Sequence, residues 1–186
     1  MVQAPPQTLT LAAFLALPET KPASEYLEGR VIQKPMPKGK HSVIQTELAP
    51  VANAVLRTAQ IARAFNELRC TFGGRSIVPD TSIFLWSRIS RDADGEIADR
   101  FESAPDWTIE VLSPGQSQTQ VTRNILHCLK HGSSMGWLID PQEKSILVFW
   151  PDRPTEIFDQ PEQRLPVPAF AEAFQLTLGE VFAWLA

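Results

Sequence analysis

The sequence predicts an α/β (α+β) fold, a central mixed β-sheet flanked by helices, in one domain spanning residues 1–186. Three observations predict it. The chain has 186 residues, 44% hydrophobic and 20% charged, an ordinary globular composition with length enough for one sizeable core. Apolar runs of strand length are interspersed with stretches of helical periodicity. A strand–helix–strand unit over residues 107–150 needs a crossover connection, which implies parallel strands inside the sheet. The same composition excludes a fully disordered chain, a collagen and a coiled-coil rod.

The elements follow in order. Residues 1–7 (MVQAPPQ) read as a loose tail. Thr10 is placed to cap a short helix through Leu17, and Pro18 stops it. Residues 25–33 (EYLEGRVIQ) read as a strand or hairpin turning at Glu28-Gly29. Residues 34–41 (KPMPKGKH) form a loop with three lysines and two prolines. Ile44, Leu48, Val51 and Val55 then lie on one helical stripe, with Pro50 inside it marking a kink or break. Residues 61–72 read as one strand or two, Gly73-Gly74 as a turn, and residues 75–86 (RSIVPDTSIFLW) as another strand. Residues 88–103 are polar and read as a long exposed loop. Residues 107–112 (WTIEVL) are a dense apolar strand, broken by Ser113-Pro114-Gly115. A helix follows over residues 117–131, ended by Gly132. Residues 135–139 and 145–150 are strands, a Pro-rich segment follows, and residues 178–185 form a terminal helix.

A formal net charge of -4 and a pI of about 5.4 show no bulk basic surface, though they leave room for a local basic cleft. Cys70 and Cys128 fit no zinc or redox spacing and read as buried, reduced thiols. No run reaches the roughly 18 apolar residues of a membrane span. No Lys or Arg precedes Lys21, so a signal peptide's basic start is missing. The expectation is a cytoplasmic protein without a membrane partner.

Two acids stand where acids are costly. Asp80 lies in the run 75–86 and Glu110 in the run 107–112. A charged carboxylate in a buried strand costs several kcal/mol unless it is paired or holds a cation. Strand alternation sets Asp80 with Val78, Ser82 and Phe84, and Glu110 with Thr108 and Leu112. Pro79 favours an edge strand or bulge at Asp80. On neighbouring strands the two carboxylates can share a hard divalent ion such as Mg²⁺, which takes oxygen ligands and serves phosphate hydrolysis. The competing reading is that each acid caps a turn or pairs with an arginine. On the helix after Glu110, Val121, Ile125, Cys128 and Leu129 form the apolar stripe. Gln120, Asn124, His127 and His131 form a polar row beside it that can face the cleft near Glu110. Without an acid on that helix, His127 and His131 read as hydrogen-bonding histidines before metal ligands.

The Pro-Asp strand followed 30 residues later by a Glu strand is the pattern of PD-(D/E)xK nucleases. More narrowly, ELRCTFGGRSIVPDTSIF (67–84), APDWTIEVLSP (104–114) and GWLIDP (136–141) resemble the Uma-two family, a bacterial family described as restriction-endonuclease-like. The resemblance covers residues 24–150 and takes in the C-terminal FAWL. It implies a restriction-endonuclease-like core with Asp80 and Glu110 as ligands of Mg²⁺ or Mn²⁺. It further implies DNA as the partner and a homodimer that brings two sites to two strands. The lysine of the pattern would stand two residues after Glu110, where this chain has Leu112. In the family it is commonly borne by the following helix near Asn124, so Asn124 takes the catalytic position without the charge. Lys38 or Lys40 is the alternative source of that charge.

Further acids in such folds come from the first long helix, and Glu47, beside the stripe, is the candidate third metal ligand. His41 at the helix start and Glu67 before the Gly-Gly turn are additional site candidates. Each of the three has a plain structural alternative as an ordinary helix, loop or strand residue. The reading is a Mg²⁺-dependent endonuclease hydrolysing DNA phosphodiester bonds. Its alternative is a catalytically degenerate nuclease-fold protein that binds nucleic acid or a protein partner without cleaving, which the missing lysine favours. A module unrelated to nucleic acid is the third, favoured by the acidic pI. The late aromatics (Phe149, Trp150, Phe158, Phe170, Phe174, Phe182 and Trp184) read as core or dimer contacts.

Overall fold

In a computed structural model, which describes residues 9–186, the chain builds two sheets where the sequence predicted one. The expected tail at 1–7 lies outside the described residues. Helix α1 (Leu11–Leu15) starts at Thr10, whose hydroxyl accepts the Ala13 amide at 3.1 Å. Strands β1 (Ser24–Leu27) and β2 (Arg30–Gln33) form the expected hairpin. Its turn residues, Glu28 and Gly29, have φ of 52° and 85°, the left-handed pair that a tight hairpin turn requires. Helix α2 (Gly39–Leu56) runs through Pro50 without a break. Pro50 is exposed, so the carbonyl that loses its partner faces water.

Both long strand-like runs in the middle divide between the sheets. Residues 61–72 give β3 (Ala62–Asn66) and β4 (Cys70–Phe72). Residues 75–86 give β5 (Arg75–Ile77) and β6 (Thr81–Leu85), broken at Val78-Pro79-Asp80. Pro79 has no N–H to donate to a ladder, so pairing stops there. Asp80 therefore sits in the break, not in an alternating strand as its neighbours suggested. The stretch 88–103 is mainly exposed, as expected, but it buries Ile89 and Phe101.

Strand β7 (Trp107–Val111), helix α3 (Gln118–Lys130) and strand β8 (Met135–Asp140) make the predicted crossover, with β7 and β8 parallel. Ser117 caps α3 and Gly132 follows it at φ 104°. Strands β9 (Ser145–Phe149) and β10 (Glu156–Phe158) continue the sheet, and α4 (Leu178–Ala183) starts in a capping box of Thr177 and Glu180. The sheets run β2-β1-β5-β4, all antiparallel, and β10-β9-β8-β7-β6-β3, mixed. Among the described residues no helix is long and apolar enough to cross a membrane.

Alternation along β7 and β8 sorts two cores. Trp107, Ile109, Val111, Trp137 and Ile139 join the cluster formed with Ile44, Leu48 and Leu56 of α2. Leu112 and Leu138 meet Val121, Ile125 and Leu129 of α3 on the other side. Glu110 shares that second side by period 2. The polar row of α3 turns to the four-stranded sheet. Asn124 donates to Glu25 of β1 at 2.9 Å, and His127 Nε2 donates to the Phe72 carbonyl at 3.1 Å. His131 Nδ1 donates to the His127 carbonyl at 2.8 Å. Both histidines are thus hydrogen-bonding groups. Cys70 and Cys128 are free and buried.

Two predictions follow from this packing. A Cβ at Gly136 would lie 2.3 Å from Cγ2 of the fully buried Ile125. Gly136→Ala should cost about 1–3 kcal/mol in chemical denaturation, and adding Ile125→Val should recover part of it. Burial pulls the His127 pKa from 6.5 to about 4. The unfolded chain then takes up a proton that the folded chain refuses, so stability present above pH 6.5 is lost as the pH falls towards 4. Thermal midpoints should drop across that window, and less steeply in His127→Gln.

Candidate active site

Five elements converge on one buried cluster. The break after β5 delivers Asp80, β7 delivers Glu110, and both side chains are almost fully buried. β1 delivers Glu25. The residue after β2 is Lys34. The first turn of α2 delivers His41, and Gln45 follows on the same helical face at i+4.

Asp80 is the most heavily bonded member. Its Oδ1 accepts from Lys34 Nζ at 2.6 Å. Its Oδ2 accepts from the Val111 amide at 2.7 Å and from His41 Nε2 at 3.0 Å. Its carbonyl accepts from Gln45 Nε2 at 3.0 Å and from the Glu67 amide at 3.2 Å. Its own amide points to Glu110 Oε2 at 3.4 Å. Lys34 Nζ also donates to the Val78 carbonyl at 2.7 Å and stands 3.6 Å from Glu110 Oε2. One ammonium therefore touches both carboxylates. Glu25 braces the cluster from behind, accepting from the Val78 amide at 2.8 Å and from Asn124.

Charge sorts the pair. Burial pushes the Asp80 carboxyl up, but the Lys34 ammonium and the His41 hydrogen bond outweigh it and hold Asp80 well below its ordinary range. Burial dominates at Glu110 and holds it well above its ordinary range, against the pull of Lys34. Burial pulls Lys34 down, yet the surrounding carboxylates overcome it and leave its pKa raised. Lys34 is thus a firm cation between an ionised Asp80 and a Glu110 that resists ionising.

The donor set suits a hard cation in part. Asp80 and Glu110 offer carboxylate oxygens, and Glu110 Oε1 is buried with no hydrogen-bond partner. Mg²⁺ characteristically uses one or two carboxylates and completes its shell with water and substrate phosphate. Among the described residues no group of three His, Cys, Asp or Glu is arranged as a metal cage, so only such an open site fits. A cavity of about 20 Å³, with room for one water-sized group, adjoins Lys34, His41, Asp80, Ser113 and Gln116. His41, Ser113 and Gln116 also border a cleft of about 690 Å³ that reaches Lys38, Lys40 and Gln142.

Of the residues singled out in the sequence, Asp80, Glu110 and His41 meet here. Glu67 is exposed at the mouth of the small cavity. Asn124 is buried and reaches the cluster through Glu25. Glu47 is a correction. It is exposed on α2, two residues and about 200° from the inward-facing Gln45, so it cannot join the carboxylates. The lysine is a second correction, because Lys34 enters the cluster while Lys38 and Lys40 line the cleft. Glu25 carried the same signal as Asp80 and Glu110, an acid in a strand that turns out buried throughout.

The family model Uma2 (the Uma-two family), whose description is "Putative restriction endonuclease", matches residues 11–179. A crystal structure described as "a putative nuclease belonging to DUF820", from Anabaena variabilis, is 61% identical to this chain. It superposes with a TM-score of 0.94, over 95% of this chain and 99% of that one. No curated protein matches.

The charge arrangement makes two opposite predictions. Lys34→Met leaves Asp80 buried without its cation and should cost about 3 kcal/mol in denaturant unfolding. Glu110→Gln should do the reverse. The folded state holds the Glu110 proton above the ordinary pKa of 4.5, so Glu110 costs stability as the pH rises beyond it. Glu110→Gln should raise the thermal midpoint at pH 7.5 by about 2–4 °C and flatten its decline above pH 4.5.

Proposed function

Because the chain belongs to the Uma2 family of restriction-endonuclease-like proteins, we propose that it is a divalent-metal-dependent endonuclease cleaving DNA phosphodiester bonds at Asp80, Glu110 and Lys34. The observation that carries this reading is the Lys34 ammonium, 2.6 Å from Asp80 and 3.6 Å from Glu110. It supplies the positive charge that neither Leu112 nor Asn124 can provide, and so removes the main support for a degenerate site.

Asp80 and Glu110 would hold the ion, Glu110 through its unpartnered Oε1. When bound, a Mg²⁺ or Mn²⁺ ion supplies Lewis-acid stabilisation of phosphate charge and eases deprotonation of water. The chain's own groups do the rest. The Val111 amide and His41 fix the orientation of the Asp80 carboxylate. Lys34 faces the carboxylates as a fixed positive charge and hydrogen-bond donor for an oxygen that gains charge in the transition state. Glu25 and Asn124 act as positioning residues, tying the 78–80 segment to β1 and α3. Lys38 and Lys40 in the adjoining cleft offer charge to a phosphate backbone despite the net charge of -4.

The test is cleavage of supercoiled DNA with Mg²⁺, Mn²⁺ or EDTA. The wild type should nick or linearise it only with metal. Glu110→Ala, Asp80→Asn and Lys34→Gln should each lose at least about a hundredfold in rate. Cleavage that survives Glu110→Ala would overturn the site, and a wild type that binds DNA without cutting it under any metal would favour the non-cleaving alternative.

A further inference from the structure

A second charged cavity lies away from the carboxylates. It measures about 420 Å³ and is walled by the β1–β2 hairpin, the start of β5 and helix α3. Arg30, Arg75 and Arg123 line it together with Glu28 and Gln120. Arg75 is ion-paired to Glu28. Among the described residues, neither Arg30 nor Arg123 makes a side-chain hydrogen bond or ion pair, and both are exposed. Three guanidiniums thus face one carboxylate in a protein whose net charge is -4. Like charges in excess of their counter-charges repel, and an anion that neutralises the excess relieves that repulsion.

We propose that this cavity is a phosphate-binding subsite for the nucleic-acid backbone flanking the carboxylate centre. The inference rests on the nuclease reading above and adds where the substrate strand runs. Two elements join the cavity to the centre. Along β2, Arg30 and Ile32 line the cavity, and Lys34, the residue just past the strand's end, enters the carboxylate cluster. From Arg30 to Lys34 is about 13 Å along a strand, close to the axial rise of about four nucleotides. Along α3, Gln120 and Arg123 line the cavity and the adjacent Asn124 reaches Glu25. The cavity is larger than one phosphate needs. The planar guanidinium fork matches paired phosphate oxygens, and Gln120 adds a neutral amide donor.

The experiment is binding of a fluorescent DNA duplex to the full chain in EDTA, followed by anisotropy across a salt series. Arg30→Gln/Arg123→Gln is compared with Arg57→Gln/Arg153→Gln, which removes the same charge from exposed positions elsewhere. The first pair should reduce the slope of log affinity against log salt by about one per arginine. It should weaken binding about fivefold per arginine at low salt, while the second pair leaves the slope unchanged. All four arginines are exposed, and matching thermal midpoints confirm that the variants are folded. A slope unchanged in Arg30→Gln/Arg123→Gln, or lowered equally in the control pair, overturns the subsite and leaves the nuclease reading standing. A wild type that binds no DNA in EDTA overturns the subsite, and one that also neither binds nor cuts DNA with Mg²⁺ or Mn²⁺ overturns both.

Discussion

Three carboxylates, Glu25, Asp80 and Glu110, are buried around a single ammonium, that of Lys34. Groups of this kind are expensive to remove from water, and the interior tolerates them through a dense set of hydrogen bonds, although His41 Nδ1 and Asn124 Oδ1 stay unpartnered. Asp80 accepts from Lys34, His41 and the Val111 amide, Glu25 accepts from the Val78 amide and Asn124, and Lys34 adds the Val78 carbonyl. Glu110 Oε1 is a further exception, left unpartnered inside the cluster. The packing of the rest of the chain is arranged around that requirement.

The segment 78–80 is where the constraint acts on the fold. There the chain leaves the four-stranded sheet at β5 and joins the six-stranded sheet at β6. Pro79 ends one ladder, and the freed backbone groups of Val78 and Asp80 are taken up by side chains from β1, the end of β2, β7 and α2. The two sheets are therefore joined by polar bonds to an irregular segment as well as by the apolar cluster of Leu27, Cys70, Ile77 and Phe84. Irregular backbone carrying an acid is held here by hydrogen bonds from four surrounding segments.

The same arrangement separates stability from function. A buried glutamate that resists ionising costs folding free energy as the pH rises above its ordinary pKa, and such costs gather where a ligand can supply the missing charge. The global acidity of the chain hides this local sorting. Acids lie in the interior centre, lysines line the adjoining cleft, and arginines ring the cavity beside α3. Net charge describes none of these places, because fields at a surface depend on which charges are near it.

Much of the fold was legible locally. The hairpin at Glu28-Gly29, the crossover through α3 and the β8–β9 pair follow from turn chemistry and periodicity over a few residues. Asp80 and Glu110 stood out because acids are rare in apolar runs. What the sequence could not reveal was the division of residues 61–72 and 75–86 between two sheets, since periodicity within a run does not say which strand each part pairs with. The same limit hid Lys34 among three lysines of one loop and set Glu47 beside a helical stripe that turns its neighbours inward instead. By itself, then, the sequence determined the element types, the mixed α/β class, the family pattern and the two acids of the centre. Only the tertiary structure decided which cation balances them. Periodicity reports which face a residue takes within its own element, whereas the meeting of Lys34 with Asp80 depends on how β2, α2 and the 78–80 break are brought together by pairings far apart in the chain.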